Sequence, residues 1–120
     1  MEYKDALDVA ESLRRQARKT VSKFHTELDS KGGLVDAMRN YGESALYGRM
    51  MLENLEPIFL ALEKENTQQA EQEIEQYLFE RNEFLTGMKP WAPSSTDIMS
   101  NLLNVVSANV LADLIESFKD

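Results

Sequence analysis

The sequence predicts an all-α fold, an antiparallel bundle of four to five helices. Apolar residues recur at steps of three and four along most of the 120 residues, which is the period of a helix face. No segment alternates apolar and polar residues as a half-buried strand does. The chain also has only five glycines and three prolines, too few for a loop-rich β fold. Its length predicts a single helical domain over residues 1–120.

The first predicted helix is long and follows a heptad pattern. Alanines at two of its apolar positions allow a neighbouring helix to approach closely, and Gly32 and Gly33 follow it, as glycines commonly do at a helix C-terminus. The pattern predicts a helix that ends before Gly32 and packs along one face. That face comprises Tyr3, Leu7, Ala10, Ala17, Val21, Phe24 and Leu28.

The second predicted helix contains a proline. Its apolar stripe includes the small residues Ala45 and Gly48, which predict a second tight helix crossing. Pro57 either kinks this helix or is the first residue of a new one. We favour a kink because the stripe continues through Pro57 without a change of phase. The stripe comprises Leu34, Met38, Tyr41, Ala45, Gly48, Leu52, Leu55, Phe59 and Leu62.

Two further helices follow. Polar residues 63–73 predict an exposed hairpin tip, after which a third apolar stripe continues to Leu85. Residues 88–96 read as a loop that holds Trp91 between two prolines. The final predicted helix, from about residue 96 to 118, is apolar around most of its circumference. Such a helix is expected at the centre of the fold or buried in an oligomer.

Composition excludes several classes of protein. The absence of cysteine excludes disulfides, thiolate metal sites and cysteine nucleophiles, and one histidine excludes a histidine-rich metal site. No apolar run approaches the roughly 20 residues that span a bilayer, and the N-terminus lacks the basic-then-apolar order of a secretion signal. We expect a cytoplasmic protein without membrane association. The net charge of −8 disfavours general binding to nucleic acid.

The charge is unevenly distributed. Residues 14–23 carry a net +5, whereas residues 53–83 carry a net −7. The two regions either neutralise each other on neighbouring helices, which is the less costly arrangement, or one of them faces a partner. Phosphate contacts by the bases are disfavoured because no aromatic residue lies between them for base stacking. We call the five bases the basic belt: Arg14, Arg15, Arg18, Lys19 and Lys23.

Two other features are candidate binding surfaces. Trp91 on its proline-stiffened loop is either a binding anchor or a cap over the end of the bundle. The acids of the third helix form either a solvated face or a surface that meets a basic protein or imitates nucleic-acid phosphates. This acidic surface comprises Glu71, Glu73, Glu75, Glu80 and Glu83.

His25 is a candidate phosphoryl acceptor, since Lys19 and Lys23 lie near it in the sequence. The setting of His25 resembles that in helical phosphotransfer modules of this size, in which the histidine is followed by leucine, lysine and glycine at set offsets. Here the leucine and glycine are displaced, and Glu27 and Asp29 would repel a phosphate. The alternative is an ordinary histidine favoured by the helix C-terminus.

Two carboxylate pairs, Glu53 with Glu56 and Glu80 with Glu83, have (i, i+3) spacing. Together across a hairpin they would bind Mg²⁺, a pattern similar to all-helical nucleotide pyrophosphohydrolases. Two departures weaken the resemblance: the last acid is typically aspartate in that family, and Pro57 follows the first pair directly.

No sequence motif assigns a catalytic residue, a metal ligand or a cofactor. The sequence therefore favours a small acidic protein that binds another protein non-covalently, as an assembly factor, chaperone, adaptor or inhibitor does. The heptad stripes and the apolar final helix predict self-association, with a homodimer as the simplest form. The alternatives are the phosphotransfer or Mg²⁺-dependent enzyme and a nucleic-acid-mimicking inhibitor.

Overall fold

The computed structural model describes residues 1–87 and 97–119, and these ranges contain helices and no strand. The predicted all-α bundle is confirmed, with four helices packed together. The helices are α1 Tyr3–Leu28, α2 Gly33–Leu62, α3 Thr67–Gly87 and α4 Ile98–Ser117.

α1 and α2 form an antiparallel hairpin. Gly33 turns the chain between them with φ 58°, a left-handed conformation that glycine adopts without strain. At the far end, the Tyr3 hydroxyl donates to the carbonyl of Leu62 at 2.6 Å. Between these ends the helices cross closely, because a Cβ on Gly48 would lie 2.8 Å from the carbonyl oxygen of Ala17. The tight crossing predicted from small residues is therefore present.

α2 lies in the middle of the molecule. It packs against α1, α3 and α4, whereas α1 and α4 hardly meet. α2 continues as one helix through Pro57, so this proline does not begin a separate helix. The kink at Pro57 stays a prediction.

A hydrogen bond from α3 supports α2 just before its proline. Pro57 has no N–H, so the carbonyl of Glu53 lacks its usual helical partner and this turn is weakened. The Tyr77 hydroxyl donates to the neighbouring carbonyl of Asn54 at 2.8 Å. The side-chain amide of Asn54 donates in turn to the carbonyl of Met50, also at 2.8 Å.

Tyr47 joins α2 to α4. Its hydroxyl donates to the Asp113 carboxylate at 2.5 Å. Burial, followed by the hydrogen bond and the charge of Asp113, raises the pKa of Tyr47 well above its ordinary value. Burial likewise raises the pKa of Tyr77, which the charge of Arg81 partly offsets. Hydrogen bonds from Tyr3, Tyr47 and Tyr77 thus fix α1, α4 and α3 to α2.

The core is one apolar cluster in which the helices contribute side chains of different sizes. α1 contributes small residues, which is why it lies so close to α2, and the larger buried side chains come from α2 and α4. The Asp97 carboxylate caps α4 by accepting from the N–H of Met99 at 3.0 Å and from the Ser100 hydroxyl at 2.9 Å. The cluster includes Ala6, Ala10, Ala17, Met51, Leu55, Ile58, Val106, Val110 and Leu114.

The molecule is more open than a typical monomer of its size. Its Cα radius of gyration is 16.3 Å, against about 13.6 Å expected for this length. Its accessible surface is 8183 Å², against about 6,600 Å² expected for this mass. The four helices therefore leave an unusual amount of surface uncovered.

α4 accounts for part of that surface. An 18-residue stretch within Ile98–Ser117 has a mean hydropathy of 1.5, and 22 % of that stretch is buried. Among the described helices it is the one long and apolar enough, by length and composition alone, to cross a membrane. Asparagines and serines scattered along α4 interrupt its apolar residues, so the sequence shows no uninterrupted apolar run of this length. The expected cytoplasmic location without membrane association stays a prediction. The core helix of a soluble bundle passes the same test.

Candidate functional site

A groove of about 860 Å³ lies where α1 ends and where α2 and α4 begin. Since α2 lies between α1 and α4, its outer face is the floor of the groove and its two neighbours are the walls. The floor includes Gly42 and Ala45, whose small size keeps it low. The two walls are formed by Val21, Phe24 and His25 of α1 and by Met99, Leu102 and Leu103 of α4.

Large apolar side chains are exposed at this end of the molecule. Ile98 is 83 % exposed, Met99 53 % and Met38 49 %. Large apolar side chains exposed near one another on a soluble protein commonly mark a binding surface. Two of these residues are methionines, whose unbranched side chains adapt to differently shaped partners. We call this patch the apolar end; it comprises Leu34, Val35, Met38, Ile98, Met99 and Leu103.

The groove lies in the basic part of an acidic protein. Residues 14–52, which supply its α1 wall and its floor, contain eight bases and four acids, a net charge of +4. The remaining residues therefore carry a net charge of −12, which together with +4 gives the total of −8. The α4 wall is uncharged, because no acid or base occurs in residues 98–112.

The basic belt remains unneutralised. Within the described ranges, no ion pair joins any of its five bases to a carboxylate. The guanidinium of Arg14 lies 3.9 Å from the ring centroid of Phe59, and the other four bases are exposed. The less costly arrangement, in which belt and acidic segment pair inside the fold, is therefore not the one found. Arg18 lies on the same face of α1 as the groove residues Val21 and His25, at steps of three and four.

The acidic surface on α3 has mainly local partners. Glu71 accepts from the backbone N–H of Tyr3 at 2.6 Å, where α1 begins. Glu73 pairs with Lys64 at 3.2 Å, and Glu80 accepts from the Gln76 amide at 3.2 Å. The first two contacts lie at helix ends and the third is an (i, i+4) pair within α3, while Glu75 and Glu83 are exposed.

The two carboxylate pairs do not form a four-acid site. In residues 1–87 and 97–119, no three acids or histidines lie close enough to hold a metal ion. Glu53 instead lies 3.6 Å from Arg49 on the same helix. The four acids do not converge as the Mg²⁺-dependent alternative requires, because α3 faces α2 with Ile74 and Tyr77, which leaves Glu80 and Glu83 exposed to solvent.

Of the two remaining candidate residues, the structure describes His25 but not Trp91. His25 is exposed on the groove wall, with its ring edge-to-face against Phe24 at 5.9 Å between centroids. Its groove neighbours on α1 are therefore apolar rather than cationic. Trp91 lies outside the described residues. Comparison with other proteins adds no candidate residue, since no family model, curated protein or solved structure matches the chain.

Sequence reasoning did not single out the groove. Met38 was assigned to a buried stripe, and Gly42 lay off that stripe. The available signal was the uncharged stretch 98–112 together with the small residues of α2, because these two features meet in the folded chain.

Proposed function

We propose that this protein binds another protein non-covalently through the groove, in the manner of an assembly factor, chaperone, adaptor or inhibitor. One observation carries the proposal: the apolar end and the groove share the exposed side chains of Met38, Met99 and Leu103. Burial of apolar surface contributes about 25 cal/mol per Å², so a partner that covers these side chains gains binding free energy. No catalytic group is required for this role.

A pull-down from the native host tests the proposal with two matched variants. Leu103→Glu places a charge on the groove wall at a side chain that is 37 % exposed, so the fold tolerates it. Phe79→Glu makes a similar change at an exposed residue of α3 outside the groove. We expect the captured partner to be lost with Leu103→Glu and kept with Phe79→Glu. Identical capture by both variants contradicts a binding role for the groove.

We further propose that the protein self-associates. The uncovered surface supports this: the excess over a compact monomer is about 1,600 Å², and a standard interface covers about 800 Å² of each partner. Sedimentation over a concentration series should show a reversible dimer. A monomer at tens of micromolar refutes self-association and leaves the first proposal standing.

A further inference from the structure

We infer that the groove binds an amphipathic helix whose polar flank is acidic, supplied by a protein other than a second copy of this chain. The inference rests on the proposed binding function and names the chemistry of the partner. Three observations carry it: the shape of the groove, the uncharged α4 wall and the exposed arginines on α1 and α2.

The shape fits a helix. The groove is lined by α1, α2 and α4. A further helix can lie over α2 between the other two, at the spacing of about 8–10 Å that neighbouring packed helices have. Gly42 and Ala45 keep the floor low, which allows the side chains of a docked helix to reach it. Helices that bind in apolar grooves do so through anchors at i, i+3, i+4 and i+7. Met38 and Met99 adapt the rim to those anchors.

The charges select an acidic flank. Two arginines, Arg39 and Arg49, and one acid, Glu43, line the groove, so cations outnumber anions there. Arg39 has no ion pair in the described part of the chain. Arg49 has only an exposed pair with Glu53, and such pairs contribute little and exchange readily. Arg18 lies on the groove side of α1 and is likewise unpaired. Carboxylates of a bound helix would meet these three guanidinium groups, whereas lysines would be repelled.

A second copy fits this groove less well. A two-fold symmetric contact, groove against groove, brings each basic region onto its own duplicate. Such a pairing places like charges together, with +4 on residues 14–52 of each chain. Self-association, where it occurs, therefore uses a different surface.

Two labelled peptides test the inference by fluorescence anisotropy. Both have about 18 residues, or five helical turns, with leucines at i, i+3, i+4 and i+7. One carries glutamates beside the leucine stripe, and the other carries lysines at the same positions. We expect the glutamate peptide to bind at least tenfold more tightly at low salt, and salt to reduce this ratio because the charges are exposed.

Variants locate the binding. Leu103→Glu should weaken the glutamate peptide at least tenfold, and Arg39→Glu should reduce the preference for glutamate over lysine at least threefold. Phe79→Glu, outside the groove, should change neither value. Circular dichroism confirms that each variant keeps its helices.

Three outcomes overturn the inference. Equal or tighter binding of the lysine peptide refutes an acidic flank on the partner helix. If Leu103→Glu then abolishes binding of that peptide, the proposed protein-binding function of the groove still stands. Failure of both peptides to bind refutes a helix as the occupant, while the pull-down decides the binding function separately. A dimer that Leu103→Glu dissociates assigns the groove to a second copy.

Discussion

Replacing Gly48 by alanine should destabilise the protein, although alanine is the better helix former. Two effects compete at this position. Alanine in place of glycine inside a helix contributes about 1 kcal/mol of stability. Against this, the added Cβ would lie 2.8 Å from the carbonyl oxygen of Ala17 and 3.2 Å from Cγ2 of Val21.

The steric cost should exceed the gain in helix propensity. The nearest atom is backbone oxygen on α1, so it cannot rotate away as a flexible side chain does. α1 must move outward by several tenths of an ångström, and this loosens the packing of Ala10 and Ala17 along the same face. Overpacking of this kind costs about 1–3 kcal/mol. We expect a net loss of up to about 2 kcal/mol, and a larger loss for Gly48→Val.

Gly42 provides the matched control on the same helix. A Cβ there meets only the tip of the Met38 side chain, with Cε at 3.3 Å, and this tip can move. Gly42→Ala should therefore gain about 0.5–1 kcal/mol. Urea unfolding followed by circular dichroism, at matched protein concentrations, measures both changes. A Gly48→Ala variant stabilised as much as Gly42→Ala would refute the close crossing of α1 and α2.

Three further predictions concern polar groups. Tyr77→Phe should cost about 1 kcal/mol in urea unfolding, because the Asn54 carbonyl loses its hydrogen bond; an unchanged midpoint contradicts this role. The pKa values of Tyr47 and Tyr77 are higher in the folded than in the unfolded protein, where they are about 10. Above about pH 10 these tyrosines therefore ionise more readily in the unfolded state, so the free energy of unfolding is largest below that pH and falls as the pH rises above it. The urea midpoint of the wild type should fall above that pH, and the midpoint of Tyr47→Phe should fall less steeply. Equal dependence of the two midpoints on pH contradicts a raised pKa for Tyr47. Arg81→Met should be neutral or stabilising, because the buried Arg81 Nε has no hydrogen-bond partner in the described ranges and no carboxylate there pairs with the guanidinium. Thermal melts measure this change, and a loss of stability above about 2 kcal/mol contradicts the prediction.

The helices could be predicted from the sequence because each has a period that local spacing reveals. The stripe from Tyr3 to Leu28 matches the bounds of α1, and the small residue Gly48 correctly indicated a close crossing. These features depend on residues within one or two turns of each other. The turn between α1 and α2 likewise lies at the glycines Gly32 and Gly33, of which Gly33 has a positive φ.

Exposure and charge pairing could not be predicted, because they depend on which helices become neighbours. Met38 and Phe84 belong to apolar stripes, yet they are 49 % and 57 % exposed. Each lies near an end of its helix, beyond the region where the other helices cover it. The same limitation applies to the basic belt, since its pairing required α1 to lie along the acids of α3.

The central position of α2 has a consequence for the order in which the molecule opens. Each of the other helices can detach separately while α2 keeps contacts with the remaining two. Amide protons in the middle of α2 should therefore exchange with solvent only through global unfolding. Those in the first turns of α4, where Ile98 and Met99 are exposed, should exchange through local fraying. The molecule thus combines a slowly exchanging axis with a readily opened end.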